Sequence, residues 1–265
     1  MKTNAVKRGL RAGEPQVGTW LSLGSPHAAR FAARTGLPWL TVDMEHSPVD
    51  LNTASLMFGA IADAGCVALA RVPTGRHDLI KQVLDAGAMG IVAPMVMTAE
   101  EARAIVAATK YPPRGNRSVG GGHHALNFGT DAATYFARAD DEILVVIQAE
   151  HIEAVERGDE IYAVPGIDAV FVGPNDLSAS MRSANGTPPD RSTFEATLTR
   201  IREACARHGV AAGLHVQTAE EAKARIAEGW RFLAVASELK FLLDGASAVS
   251  RTIYPGRVGG EVARY

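Results

Sequence analysis

Short apolar runs rich in β-branched residues alternate with longer amphipathic stretches along the chain, and turn residues separate them. Eight of these runs have the length and composition of strands, at residues 17–24, 39–43, 67–72, 90–94, 143–148, 169–173, 211–215 and 232–236. Helical periodicity fills most of the intervals, as at 77–85, 99–109, 194–208 and 219–228. The interval after the fourth run carries an extra stretch, 110–141, that a simple crossover does not require. No linker rich in Ser, Pro or charge interrupts the pattern, so residues 1–265 are predicted to form one α/β domain. The repeated order predicts a closed (β/α)8 TIM barrel, with functional residues on the loops that follow the strand C-termini. An open doubly wound sheet would carry a Gly-rich phosphate loop after the first strand, and the segment Gly18 to Gly24 lacks that spacing.

Composition narrows the partners. With 47% hydrophobic and 21% charged residues, the 265-residue chain can bury one large core. A formal charge of −2 offers no field for nucleic acid or for an anionic membrane, so small molecules are the expected partners. No apolar run approaches bilayer length, and the basic start (Lys2, Lys7, Arg8, Arg11) lacks a signal-peptide core; a cytoplasmic protein is expected. Cys66 and Cys205 show no metal-type spacing and are expected to be reduced structural thiols. Residues 239–253 look helical and apolar enough to pack on another subunit, which predicts a homo-oligomer, before a break at Pro255-Gly256 into a polar tail.

Polar residues just past the apolar runs collect the candidate chemistry. The second run leads into Asp43-Met44-Glu45-His46, the third into Arg71, the fifth into Gln148 and Glu150, and the sixth into Asn175 and Asp176. A charged residue at the exit of a buried strand needs a partner, and a divalent metal ion serves two carboxylates at once. Glu150 and Asp176 are hard oxygen ligands without cysteine, which suits Mg²⁺ or Mn²⁺ and leaves other positions to water and substrate. His46 could be a third ligand, but Asp43 three residues earlier favours a general base. Arg71 could hold a carboxylate or a developing enolate oxygen, and Gln148 could orient the same substrate without adding charge. Asn175 stands at a predicted helix start, where backbone N–H groups bind anions. Strand-end polar residues also cap helices or pair with one another, so the set carries more weight than any one member.

These residues belong to a longer series: Gly18-x-Trp20-Leu21, Asp43-x-Glu45-His46, Ala70-Arg71-Val72, Lys81-Gln82-x-Leu84-Asp85-x-Gly87, Tyr111-Pro112-Pro113-x-Gly115, Gln148-x-Glu150 and Gly173-Pro174-x-Asp176-Leu177-Ser178. In that order, nearly end to end, the chain resembles the metal-dependent pyruvate aldolases of the HpcH/HpaI family. The resemblance implies a (β/α)8 barrel, a trimer of dimers with the last helix exchanged between subunits, and a divalent ion, Mg²⁺ or Mn²⁺ ahead of Co²⁺. It implies reversible cleavage of a 4-hydroxy-2-oxo acid to pyruvate and an aldehyde through a metal-bound pyruvate enolate. Carried over by position, it makes Glu150 and Asp176 the metal ligands, His46 with Asp43 the base, and Arg71 the enolate stabiliser. Gln148 and the backbone at Asn175 would bind substrate, and Asp85 would serve a neighbouring subunit's site. No lysine stands at a predicted strand end, Lys81 and Lys240 falling in helices, so a Schiff-base route is not expected.

The long crossing departs from the family's better-known members. Gly120-Gly121-Gly122-His123-His124 reads either as a loop that binds the polar end of an aldehyde or as a surface loop, the second being favoured. His151 replaces a small hydroxyl residue and either tunes the neighbouring ligand or starts a helix. His215 ends the seventh strand and could face the mouth, although strand alternation can point it into packing, the reading favoured. Rival functions are an oxaloacetate-type decarboxylase using the same enolate, an acyl-coenzyme A lyase, for which no basic patch is evident, and a non-catalytic metabolite-binding barrel.

Overall fold

The computed structural model describes residues 1–256; the polar tail expected after Gly256 lies outside the described residues. Eight parallel strands close a barrel in sequence order. They are β1 (Gln16–Leu21), β2 (Trp39–Asp43), β3 (Val67–Arg71), β4 (Gly90–Ala93), β5 (Leu144–Gln148), β6 (Ala169–Val172), β7 (Ala211–Val216) and β8 (Phe232–Ser237). Helices lie between strands, giving the (β/α)8 TIM barrel that the alternation predicts. Strands covered on both faces read as continuous apolar runs, and Leu144–Gln148 is buried at every position.

Aromatic side chains fill the barrel. Trp39 stacks on Phe232 at 4.4 Å between ring centroids, and Phe171 meets Phe232 and Trp20 edge-on at 5.9 and 5.5 Å. Glycine makes room for them: a Cβ at Gly18 would fall 2.2 Å from the Trp39 indole. The filling leaves polar chemistry to the ends of the strands.

Two boundaries shift for local reasons. β1 stops at Leu21, short of the expected residue 24, because the amides of Ser22 and Leu23 donate to the Glu238 carboxylate at 2.8 and 3.1 Å. The helix expected from residue 194 begins at Arg191, because the Asp190 side chain caps it by accepting from the Thr193 amide at 2.7 Å. The final helix, Glu238–Ile253, has Glu238 as its only described buried side chain. Phe241, Leu242, Val249 and Ile253 are exposed along it. Cys66 and Cys205 are buried, unpaired thiols that burial pushes up to about 12.

A short N-terminal helix, Ala5–Arg11, closes the end of the barrel opposite the strand C-termini. Lys7 Nζ donates to the Ile143 carbonyl at 2.6 Å and lies 2.9 Å from the Asp168 carboxylate. Asp168 also accepts from the Val145 amide at 2.9 Å. Removing one member of a buried, hydrogen-bonded pair strands the other. Lys7→Met is therefore expected to cost about 3 kcal/mol in urea unfolding, with activity of the remaining folded protein unchanged. A cost below about 1 kcal/mol would mean that Arg11, at 3.8 Å, takes over the pairing.

Candidate active site

Arg71 organises the mouth of the barrel. At the end of β3 its guanidinium forks onto Asp43, with Nε donating to Oδ1 at 2.9 Å and Nη2 to Oδ2 at 2.5 Å. Nη1 stands 3.1 Å from the Glu45 carboxylate, and the cation lies 4.9 Å from the centre of the Trp20 ring. Asp43 and Arg71 are both buried, so the fork is held without competition from water. The free face of Asp43 Oδ1 accepts from the amides of Glu45 and His46 at 3.0 and 3.3 Å, which fixes the turn after β2.

His46 projects from that turn with its side chain 49% exposed, and Nε2 is 3.8 Å from Glu45 Oε1. The Asp43 carboxylate thus sets the backbone under His46, while Glu45 faces the imidazole. Glu45 carried no assigned role in the sequence; its position between Arg71 and His46 gives it one.

Glu150, just past β5, is buried. Its Oε1 accepts from the Met95 amide at 2.7 Å and its Oε2 from Gln148 Nε2 at 2.8 Å. Burial pushes its carboxyl up to about 7, and the carboxylates of Glu45 and Asp176 push the same way. Gly173 permits the close approach, since a Cβ there would fall 2.7 Å from Glu150 Oε2. Asp176 is exposed in the first turn of the helix Pro174–Ser180, beside Asn175.

The donor set fits a hard divalent cation. Two carboxylates repel each other across the site, one of them in a buried position where ionisation is disfavoured, and Gln148 Oε1 is sealed beside them without a partner. Among the described residues no cluster of three or more His, Cys, Asp or Glu stands ready for a metal. Glu150 and Asp176 are the two carboxylates that could hold such an ion, leaving open positions for water and substrate.

Two cavities open at the strand ends. The smaller, about 60 Å³, is lined by Trp20, Arg71, Gln148, Phe171, Asp176 and His215 among others, with Glu150 bonded to Gln148 behind it. The larger, about 360 Å³, lies between the loops after β3 and β4 and is mainly apolar, touching the polar centre through Glu45. Size and chemistry part company here, and the convergent polar groups mark the smaller cavity as the reaction centre.

Other candidates lie elsewhere. Asp85 ends the helix His77–Asp85 on the outer wall, bonded to the buried Arg117 at 2.7 Å, and does not line its own chain's mouth cavity. Gly120 and Gly121 lie against Asp85, and His124 is buried against Tyr135 with 4.1 Å between rings. His151 caps the helix Ile152–Glu156, accepting from the Glu153 amide at 3.3 Å. Of the two readings for His215, the structure takes the less favoured one: it lines the mouth cavity. Its strand parity with Gly213, whose position abuts the Phe171 ring, turns the side chain inward.

Fold and mouth define an enzyme of the TIM-barrel class whose chemistry gathers at the C-terminal ends of the strands. The model of the HpcH/HpaI aldolase/citrate lyase family matches residues 16–245, and the chain belongs to that family. It is 42% identical over 236 residues to a 2-keto-3-deoxy-L-rhamnonate aldolase of Klebsiella pneumoniae, covering 88% of this chain and 86% of that one. It is 38% identical over 247 residues to a hydroxypyruvate/pyruvate aldolase of Pseudomonas aeruginosa, covering 92% and 90%. The crystal structure of a family member from Burkholderia cenocepacia superposes with a TM-score of 0.87 at 34% identity, covering 95% of this chain and 99% of that one. The protein is an aldolase, a carbon–carbon lyase. No described helix is long and apolar enough to cross a membrane.

Proposed function

We propose that the protein cleaves a 4-hydroxy-2-oxo acid reversibly to pyruvate and an aldehyde, with a divalent ion, Mg²⁺ or Mn²⁺, held by Glu150 and Asp176. The observation that carries this reading is the meeting of Arg71, Gln148 and Asp176 on one cavity, with Glu150 bonded to Gln148 behind it. When bound, the ion supplies Lewis acidity toward the carboxylate and keto oxygens of the 2-keto acid. Arg71, fixed by Asp43 and Glu45, aims its guanidinium at the oxygen where enolate charge develops as the C3–C4 bond breaks. His46, half-exposed and able to reach substrate, takes the proton of the C4 hydroxyl and returns it in the addition direction. Gln148, its Nε2 committed to Glu150, holds the carboxylate arm in register, assisted by the backbone at Asn175.

Residues 1–265 act as one catalytic unit in this reading. The exposed apolar face of Glu238–Ile253 supports assembly with other copies, as a trimer of dimers with that helix exchanged and with Asp85 turned toward a neighbour's site. Two buried unpaired thiols suit the reducing cytoplasm.

Pyruvate release from 4-hydroxy-2-oxo acids tests the reaction. Chelation with EDTA is expected to abolish release and added Mn²⁺ or Mg²⁺ to restore it; release that persists after complete metal removal would refute the assignment. Faster loss of CO₂ from oxaloacetate than cleavage of any hydroxy-oxo acid would make the protein a decarboxylase instead. His46→Ala is expected to lower aldol cleavage by about 10²- to 10⁴-fold while pyruvate and Mn²⁺ still bind. Loss of Mn²⁺ affinity in that variant would make His46 a ligand.

A further inference from the structure

His215 has no assigned part in the chemistry, yet it lines the mouth cavity with Trp20, Arg71, Phe171 and Gln217. Its Nε2 is 3.0 Å from the Ala236 carbonyl oxygen. A carbonyl can only accept, so Nε2 carries the proton and Nδ1 of the neutral ring holds a bare lone pair. Burial, aided by the Arg71 charge, lowers the imidazolium pKa and keeps the ring neutral. Nδ1 makes no hydrogen bond to the protein, and it is absent from the sealed, unpartnered atoms of the interior, so it remains accessible.

The backbone is shaped to fix this tautomer. Ala236 adopts φ +52°, in the left-handed region that alanine seldom enters. The β1–β8 register shifts at the same place, from Gly18 opposite Ala234 to Trp20 opposite Ser237. The resulting bulge turns the Ala236 carbonyl onto His215, and such local strain clusters where a side chain must be held.

Taking the aldolase reading above as its basis, the geometry points to His215 as a specificity residue whose Nδ1 accepts a hydrogen bond from a substrate hydroxyl. Carboxylate and keto oxygens carry no proton to give it, whereas a hydroxyl does. The enzyme then prefers a hydroxylated partner to its deoxy analogue, because the analogue leaves Nδ1 unpaired in the closed mouth. The hydroxyl belongs either to the 2-keto acid or to the aldehyde, and both present the same donor.

Two pairs of compounds separate the sources. Hydroxypyruvate is compared with pyruvate, using propionaldehyde as acceptor, and lactaldehyde with propionaldehyde, using pyruvate as donor, all with Mn²⁺-loaded enzyme. His215→Leu is expected to lower kcat/KM about tenfold for the hydroxylated member of one pair and to leave its deoxy member within about twofold. His215→Asn places an amide oxygen near the position of Nδ1 and is expected to recover most of the loss. Equal loss for both members of both pairs, or no loss, would overturn the assignment.

Calorimetric binding of the same four compounds keeps the two readings distinct. A wild-type protein without aldol turnover would refute the aldolase reading alone, and a hydroxyl preference in binding that vanishes in His215→Leu would still support His215. Equal binding of hydroxylated and deoxy compounds by wild-type protein would refute it. Should the leucine variant fail to fold, nitrogen NMR of wild-type His215 reads the same contact. An upfield move of Nδ1 specific to the hydroxylated compound supports the role, and its absence excludes it.

Discussion

Arg71→Lys is expected to lower kcat/KM for aldol cleavage by roughly a hundred- to a thousandfold while the protein stays folded and still binds Mn²⁺. The guanidinium serves two anions at once, forking onto Asp43 and reaching Glu45 from its third nitrogen. A lysine ammonium is a point charge that can reach one of them, and it lacks the planar fork that holds both anions and the cation in one plane at the cavity wall. Asp43 also anchors the amides of Glu45 and His46, so a loosened fork lets His46, the proposed base, drift as well. Both losses fall on the step in which enolate charge appears, so kcat should fall more than KM rises. Steady-state pyruvate release, beside Mn²⁺ titration and thermal melts, checks this. Activity within tenfold of wild type would remove Arg71 from the enolate role.

Much of this was legible in the chain before its structure, for identifiable reasons. Fully buried parallel strands write themselves as unbroken apolar runs, and the (β/α)8 order puts the next polar residue at the mouth. That logic located Asp43, Arg71, Gln148 and Glu150 without any contact information. Contacts across strands were not legible. That Asp43 spends its carboxylate on Arg71 and on two amides, leaving Glu45 beside the His46 ring, depends on β2 lying next to β3 in register, Asp43 opposite Arg71. His215 was discounted for a related reason: alternation along β7 does not state which parity points inward. Gly213 facing Phe171 decides it, and that pairing exists only once the barrel closes. The Gly120–His124 segment reads from its composition as a surface loop, yet His124 is buried against Tyr135, a contact that only the fold creates.

Glu150→Gln is expected to abolish aldol cleavage, by about a thousandfold or more, and yet to stabilise the metal-free protein at neutral pH. Burial raises the Glu150 carboxyl from the ordinary 4.5 to about 7, so the folded state binds this proton more tightly than the unfolded state does. A group with a raised folded pKa contributes its stability below the unfolded pKa and loses it as pH climbs through the folded value. The metal-free protein therefore weakens between pH 4.5 and about 7, by an amount on the order of 3 kcal/mol, and binding a cation offsets that penalty. A neutral amide avoids the penalty. It still accepts from the Met95 amide, and Gln148 can rotate its unpartnered Oε1 toward the new N–H group. Urea unfolding in EDTA should thus show the variant more stable than wild type at pH 7.5, with the difference fading toward pH 5. With the ion on Glu150, as proposed, the same proton would compete with it in wild-type protein, so apparent Mn²⁺ affinity should fall about tenfold for each pH unit below 7. An unaltered Mn²⁺ affinity in Glu150→Gln would show that the ion sits elsewhere, and equal stabilities at pH 7.5 would show that Glu150 is not held charged against its surroundings.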